Sequence, residues 1–550
     1  MSERRLTDSL CLIPLFASWV LLAWVSHYAF SHGDLRRLHH GFNFLGEMCG
    51  TGAQHEREYL FYCKSEAISA MTGLTHLDLE HPICVKSCPY LQDSSSPCFS
   101  HHTTKTLTTD HATGSFETIV EVVYQKVPDY PSYPFAGRYC MPIQHELMTQ
   151  AQEVLMERYG NEAVVFVLHL TNAWQALLAS VAISILLGWV YLMGLEYMAW
   201  FAVYAALFVP FTIFTFVGLF LIGSAKGFVD PNALPTLGFR SGSMNFALLR
   251  HATTGQDHWD LYIGIACVVV GVSFGLIACF CKESIQKAMG CVDAACECMR
   301  TIPSMILNPL IAVTTQVTAL CLMLLGFFYL VSCGEVESKS LSYFVGTGTA
   351  VPDAQGIGRT FHYKEEERYY LAFYIFMIVW MYELIGTIAR FALVYATEIW
   401  YFCSYDLLGG TKSGLPALPL LQGFRVAMTW HLGSLAYGSV LVAFLRIFRA
   451  IGVFLAAKHH TEGNKVASCA AKACACLLHF FTEWVEHISN NAYMDIAMHA
   501  TDFCTAATHA RSKLSGNTIA VGILNGVTWV FTIAGLGTVS VAGALVTHLS

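Results

Sequence analysis

The sequence predicts an all-α, polytopic integral membrane protein, and its composition and apolar runs are the two observations that predict this class. Of its 550 residues, 55% are hydrophobic and only 13% are charged, whereas a soluble domain carries about 25% charged residues. The mean hydropathy is +0.49. Apolar runs recur that reach the roughly 20 residues needed to cross a bilayer. We count about nine transmembrane helices, with a large polar loop after the first of them.

Residues 1–30 are predicted to form a cytoplasmic N-terminus and the first transmembrane helix. Arg4 and Arg5 precede an apolar run over residues 9–30. A cleaved signal peptide would have an apolar core of about 7–15 residues and a small-residue cleavage site. This run is longer and no clear cleavage site follows, so we favour a retained signal-anchor over a signal peptide.

Residues 31–170 form a polar loop, which we expect to be extracellular and tied by disulfides. Six cysteines in one polar loop suit an oxidising compartment and allow 15 pairings, which the sequence leaves open. A half zinc site at Cys84 and Cys88 is the alternative, but no second pair of zinc ligands follows at the usual spacing. The disulfide candidates are Cys49, Cys63, Cys84, Cys88, Cys98 and Cys140.

Residues 171–550 are predicted to be the transmembrane core. Apolar runs at 174–194 and 198–223 are separated by three residues only, which predicts an antiparallel hairpin. Gly271 and Gly275 have the spacing typical of closely packed membrane helices. We also predict a surface helix at 282–300, a flexible outer loop at 334–368, and two alternatives for 464–514. That last region is either a weak span followed by an amphipathic helix or wholly interfacial.

The segment 371–402 is the candidate substrate path, because it is long enough to span a bilayer yet carries charges. Glu383 shares a helical face with Trp380 and Thr387, and an acid at this depth must face protein or water. A carboxylate one turn from an indole suits an organic cation. Glu383 with Arg390 could equally be a structural pair, or Glu383 could couple protons. Further substrate-binding candidates are Trp430, Tyr437 and Tyr204.

Six motifs in order along the chain resemble the choline transporter-like family. They are GDLRRLHHGFNFLGEMCG (33–50), YLFY (59–62), CVKSCP (84–89), RYCMP (138–142), HLGSLAYG (431–438) and NAYMDIA (491–497), the last followed by Phe503 and Cys504. The resemblance covers nearly the whole chain. It implies ten spans, a disulfide-bearing outer loop after the first helix, and transport of choline or ethanolamine without sodium coupling.

Three features depart from the family pattern. Relatives usually continue into one further span after the segment 518–546, so the chain is either truncated or a divergent member with an outward C-terminus. Glu383 and Arg390 stand where relatives carry uncharged amides, and Asn43 stands where the family tends to have Asp. The charge on the Glu383 face is therefore this chain's own feature rather than a family determinant.

The sequence thus predicts a multi-pass carrier of choline or a related small organic cation, by alternating access or facilitated diffusion. The predicted partners are the ammonium solute and the lipid bilayer, at the plasma membrane or an organelle membrane. No catalytic arrangement stands out, so we predict no enzyme, no cofactor, no metal and no nucleic-acid partner, and the oligomeric state stays open. The alternatives are a non-transporting surface protein that uses the outer loop, and a lipid-handling protein.

Overall fold

A computed structural model describes most of the chain, and the described residues divide into two compact units. One unit comprises the described parts of Met1–Leu12, Trp174–Thr315 and Glu383–Ser550, and the other comprises those of Ile13–Ala173 and Gln316–Tyr382. The described residues are 4–65, 76–90, 95–108, 116–135, 137–144, 147–148, 174–228, 257–341, 354–405, 412–461, 465–516 and 518–549.

Eleven longer helices are found in the described ranges. They are α1 (Leu12–His32), α2 (Trp174–Ala225), α3 (Asp257–Phe280), α4 (Lys282–Thr301), α5 (Leu307–Val331), α6 (Glu365–Phe402), α7 (Pro419–Trp430), α8 (Leu432–Thr461), α9 (Lys465–His499), α10 (Phe503–Gly516) and α11 (Thr518–Leu549). Eight stretches of the described chain are long and apolar enough to cross a membrane, and a shorter apolar stretch covers Ala179–Gly194. The prediction of a polytopic, all-α membrane protein is confirmed.

The predicted hairpin after residue 171 is wrong, because α2 continues without a turn through residues 195–197. Leu195 and Glu196 are good helix formers, so nothing at this point forces the backbone out of the helix. At 1.5 Å per residue the 52-residue helix is about 78 Å long. Its two apolar stretches, which the sequence suggested as two antiparallel crossings, therefore belong to one continuous helix.

The disulfide-bearing part of the second unit contains a four-stranded sheet, which the sequence did not predict. The order is β2 (Ile83–Val85), β1 (Tyr59–Phe61), β4 (Tyr139–Pro142) and β3 (Ser132–Phe135), with only the β1–β4 pair parallel. Three disulfides hold it: Cys49–Cys84, Cys63–Cys98 and Cys88–Cys140. All six predicted cysteines are therefore paired. Because Cys84 and Cys88 bond to different partners, the zinc alternative is wrong.

The segment predicted as a flexible outer loop is partly ordered and joins this sheet region. Residues Glu335–Leu341 (β5) and Ala354–His362 (β6) pair as antiparallel strands. The Tyr62 hydroxyl donates to the Gln355 carbonyl at 2.8 Å, and the Phe42 N–H donates to the Gly356 carbonyl at 2.8 Å. Gly356 has φ +90°, and a Cβ there would lie 2.5 Å from the Phe42 oxygen, so only glycine permits this approach.

In the first unit, glycines allow α2 and α3 to pack closely, as the spacing of Gly271 and Gly275 predicted. A Cβ on Gly271 would lie 2.9 Å from the Thr215 nitrogen, and one on Gly275 would lie 3.1 Å from the Phe211 ring. The predicted surface helix is α4, and its apolar face (Ile285, Ala288 and Met289) packs against α2 and α11. Small residues thus set the distance between α2 and α3.

The region 464–514 adopts the first of its two predicted alternatives. The helix α9 is long and apolar enough to span a membrane, and α10 follows it after a short break. Ser468 donates to the Ala456 carbonyl at 3.0 Å, which ties α9 to α8. A Cβ on Gly438 of α8 would lie 2.2 Å from the Tyr493 hydroxyl of α9, so glycine is required where these helices meet.

Candidate functional site

Two glutamates and two arginines from three helices form a closed ring of ion pairs in the first unit. Arg446 of α8 pairs with Glu383 of α6 and, at 3.1 Å, with Glu486 of α9. Arg390 of α6 pairs with Glu486 at 3.3 Å and approaches Glu383 to 3.9 Å. The Thr387 hydroxyl accepts a further bond from Arg390 at 3.3 Å. Residues almost 100 positions apart in sequence therefore meet at one point.

The ring carries two negative and two positive charges, so Glu383 offers no uncompensated charge to a substrate. Its side chain is only 4% exposed, whereas those of Arg390 and Arg446 are 40% and 37% exposed. Removing a charge from water is costly unless it is paired, and here the most buried charge has two partners. A cation that binds at Glu383 in this conformation would have to compete with both guanidinium groups.

Trp380 and Thr387 are predicted substrate residues that lie buried on α6, and Tyr437 lies on α8. Trp380 is buried, and its ring centroid lies 5.5 Å from that of Phe376. Thr387 is buried and hydrogen-bonds the Tyr493 hydroxyl. Tyr437 is half-buried on α8, with its ring 5.3 Å from Phe503. Their role in substrate binding stays a prediction.

Trp430 and Tyr204 lie in other surroundings. Trp430 ends α7 with 42% of its side chain exposed, while its carbonyl accepts the Thr7 N–H at 3.1 Å. Tyr204 is half-buried on α2 and stacks with Trp200 and Phe208 at 5.9 and 6.3 Å. Neither is brought into the ion-pair ring.

The buried face of α6 continues beyond the ring to a second acid that the sequence reasoning missed. Glu383, Thr387, Phe391, Tyr395 and Glu398 recur at steps of three or four, and none is more than 9% exposed. We call these five residues the α6 stripe. Its two carboxylates are separated by 15 residues, or about 22 Å along the axis. The same-face spacing from Glu383 was the signal that could have identified Glu398.

The motif HLGSLAYG, found at 431–438, holds the N-terminal segment against the first unit. His431 Nδ1 lies 3.0 Å from the Thr7 hydroxyl, which in turn lies within hydrogen-bond distance of the Ser434 hydroxyl, at 2.7 Å. A Cβ on Gly433 would lie 2.3 Å from the Asp8 carbonyl oxygen. In this motif a glycine lies between two hydrogen-bonding residues, and together the three hold the residues that precede α1.

The described residues of the α6 stripe combine carboxylates with aromatic rings. Within the described ranges of the chain, no three His, Cys, Asp or Glu side chains are grouped so that they could hold a metal ion. The α6 stripe instead has a carboxylate at each end and the rings of Phe391 and Tyr395 between them, and ring faces attract cations.

Comparison with known proteins gives a consistent result over most of the chain. It is 23% identical to choline transporter-like 1 of Aedes aegypti over 95% of this chain and 79% of that protein. It is 24% identical to choline transporter-like protein 2 of Bos taurus and of Homo sapiens, in each case over 96% of this chain and 81% of the relative. The sequence model described as plasma-membrane choline transporter matches residues 265–549, which is more than half of the chain. The chain therefore belongs to the plasma-membrane choline transporter family and is a multi-pass integral membrane protein.

Proposed function

We propose that this protein carries choline, or a related ammonium solute such as ethanolamine, across the membrane. Its relatives are named choline transporter-like, which supports a choline-transporter-type function. The structural observation that carries the proposal is the α6 stripe, a buried face with a carboxylate at each end and aromatic rings between. An intramembrane acid that faces protein is a functional-site hypothesis by its cost alone.

The chemistry of the solute explains why aromatic rings and negatively charged groups at a distance would bind it. A quaternary ammonium has no N–H to donate, so recognition depends on ring faces and on negative charge. Each desolvated cation–π contact contributes up to about 2 kcal/mol. Two or three such contacts, less the cost of ordering, give roughly micromolar to millimolar affinity, which suits a carrier that must release its solute.

We propose alternating access, with facilitated diffusion down the electrochemical gradient as the energetic basis. A membrane potential favours inward movement of a monovalent cation by about 2.3 kcal/mol per 100 mV. The ion-pair ring joins α6, α8 and α9, so these helices would move together. A carrier of this kind exchanges external for internal solute, whereas an open channel does not. Counterflow therefore separates alternating access from simple permeation.

The test is uptake of radiolabelled choline and ethanolamine into proteoliposomes, with and without an inside-negative potassium diffusion potential. We expect saturable choline uptake that the potential increases and that preloaded unlabelled choline stimulates. Protein-free liposomes are the control. Absence of saturable uptake of both solutes would overturn the proposal, and lipid scrambling in the same vesicles would then favour a lipid-handling protein.

A matched pair of tryptophan variants tests the predicted role of Trp380. Trp380→Leu removes a ring on the proposed path, whereas Trp400→Leu removes an equally buried ring from the same helix near its end. We expect the first variant to raise the KM for choline about tenfold, because losing one good cation–π contact costs about 1.4 kcal/mol. Equal effects of the two variants would show that loss of packing, not of substrate contact, is measured.

A further inference from the structure

We propose that Tyr395 and Glu398 form a binding site for a small organic ammonium, and that the Arg4 side chain occupies this site as a tethered competitor. The site lies at one end of the α6 stripe, about 22 Å from Glu383. With the N-terminus on its predicted cytoplasmic side, the site would face the cytoplasm. The identity of its ligand rests on the proposed function, whereas the site itself rests on the contacts that follow.

A cation already sits on the aromatic wall of this site. The Arg4 guanidinium carbon lies 5.0 Å from the Tyr395 ring centroid, within the distance at which a ring face attracts a cation. One turn further along α6, Glu398 is 9% exposed, and among the described residues neither of its carboxylate oxygens has a hydrogen-bond partner. The charges that act on Glu398 are Arg4, of opposite sign, and Asp495, of like sign.

Two further rings lie next to the residues that contact the guanidinium. Phe391 lies one turn from Tyr395 with ring centroids 6.5 Å apart, and His431 lies 5.5 Å from Phe391. Arg4 Nη1 is 3.4 Å from His431 Nε2. A guanidinium can only donate, so Nε2 carries a lone pair and His431 is neutral. The site therefore brings Tyr395, His431, the neighbouring Phe391 ring and one carboxylate together, and ring faces and negative charge are what attract a quaternary ammonium.

The segment that delivers Arg4 is held by contacts outside the site. The Asp8 carboxylate accepts the Phe503 N–H at 2.7 Å and the Ser434 hydroxyl at 2.5 Å. Thr7 adds the bonds to Trp430 and Ser434 given above. At Glu383 the competing cations belong to long helices, but at Glu398 the competing cation belongs to a short segment ahead of α1. Displacing it opens the site without unfolding a helix.

The test is calorimetric titration of choline into the purified full-length protein and its variants. Arg4→Gln should lower the Kd for choline about tenfold, the factor expected when a competitor that fills about nine sites in ten is removed. Arg5→Gln is the matched control. It removes the same charge from the same segment, but the Arg5 Nε donates to the Ala500 carbonyl at 3.3 Å rather than to the site. We expect its Kd to equal that of the unaltered protein.

Two more variants keep the proposal open to refutation. Glu398→Gln in the Arg4→Gln background should abolish the tenfold gain, because the carboxylate then no longer attracts the ammonium. Gly433→Ala should reproduce the gain with Arg4 present, since its Cβ would displace the Asp8 backbone and release the segment. Equal Kd values for Arg4→Gln and Arg5→Gln would overturn the inference, even if the protein transports choline. A gain in affinity without any transport would instead refute the proposed function and leave the site intact.

Discussion

The substitution Glu383→Gln tests whether the ion-pair ring serves stability, substrate binding or proton coupling. It preserves the shape of the side chain and leaves the ring with one negative and two positive charges. Removing one member of a buried ion pair costs about 3–5 kcal/mol. Both arginine side chains are more than a third exposed and keep Glu486 as a partner. Because solvent screens such partly exposed groups, we expect a loss of about 2 kcal/mol in unfolding free energy.

The assay is equilibrium unfolding in mixed detergent micelles, followed by tryptophan fluorescence, with Glu483→Gln as the control. Glu483 lies on α9, is 66% exposed, and has His479 at 3.7 Å as an ion-pair partner. Its substitution should change stability by less than about 0.5 kcal/mol. In the double variant Glu383→Gln with Arg446→Gln, the cost should fall below the sum of the single costs by about 1–2 kcal/mol. Equal destabilisation by Glu383→Gln and Glu483→Gln would refute this account of the ring.

Choline uptake by the same variant separates the remaining alternatives. If Glu383 binds the substrate, Glu383→Gln raises the KM for choline. If Glu383 couples protons, the variant loses the pH dependence of uptake. Correctly inserted Glu383→Gln protein with unchanged uptake and unchanged pH dependence would exclude both functional roles and leave a structural pair.

Two further predictions concern the disulfide-bearing sheet region. Replacing Cys88 and Cys140 by serine opens a loop of 52 residues and should cost this region about 4 kcal/mol of unfolding free energy, which limited proteolysis would detect as faster cleavage. The control Cys321→Ser removes a free, exposed thiol and should leave the cleavage rate unchanged. Equal protease resistance of the two variants would contradict the prediction. Burial lowers the pKa of His40, which is 2% exposed and whose Nδ1 donates to the Cys49 carbonyl. The folded state therefore binds fewer protons than the unfolded state. The free energy of unfolding should be at its full value above about pH 6.5 and fall below that pH. A His40→Gln variant should show a flatter stability profile between pH 5 and 7, and an unchanged slope would refute the assignment.

Much of the membrane architecture is readable without tertiary structure, because membrane insertion depends on local composition. A run of about 20 apolar residues must span or be buried wherever it lies in the chain, and α1, α5, α8 and α11 follow such runs. The disulfide-forming cysteines could also be predicted, because polar sequence surrounds them whereas apolar sequence surrounds most of the others. The pairing partners were not readable, since all 15 combinations satisfy the same composition.

Only part of the candidate site could be predicted from the sequence, because its other residues lie far away along the chain. The helical period places Trp380, Glu383 and Thr387 on one face, and the structure buries all three. The period cannot show that Arg446 and Glu486 neutralise Glu383, or that Arg4 reaches Tyr395 from the other end of the chain. Those pairings depend on how helices pack, which side-chain spacing along one helix does not encode.

The sequence by itself thus determined the membrane class, the family and the face of α6 that is buried. Tertiary structure alone decided which charges on that face are compensated. Glu383 meets two helix-borne arginines, whereas the positive charge that acts on Glu398 is Arg4, in the segment ahead of α1. The physical reason is that a buried charge depends on the atoms within a few ångströms of it, and in this fold most of those atoms come from residues far away along the chain.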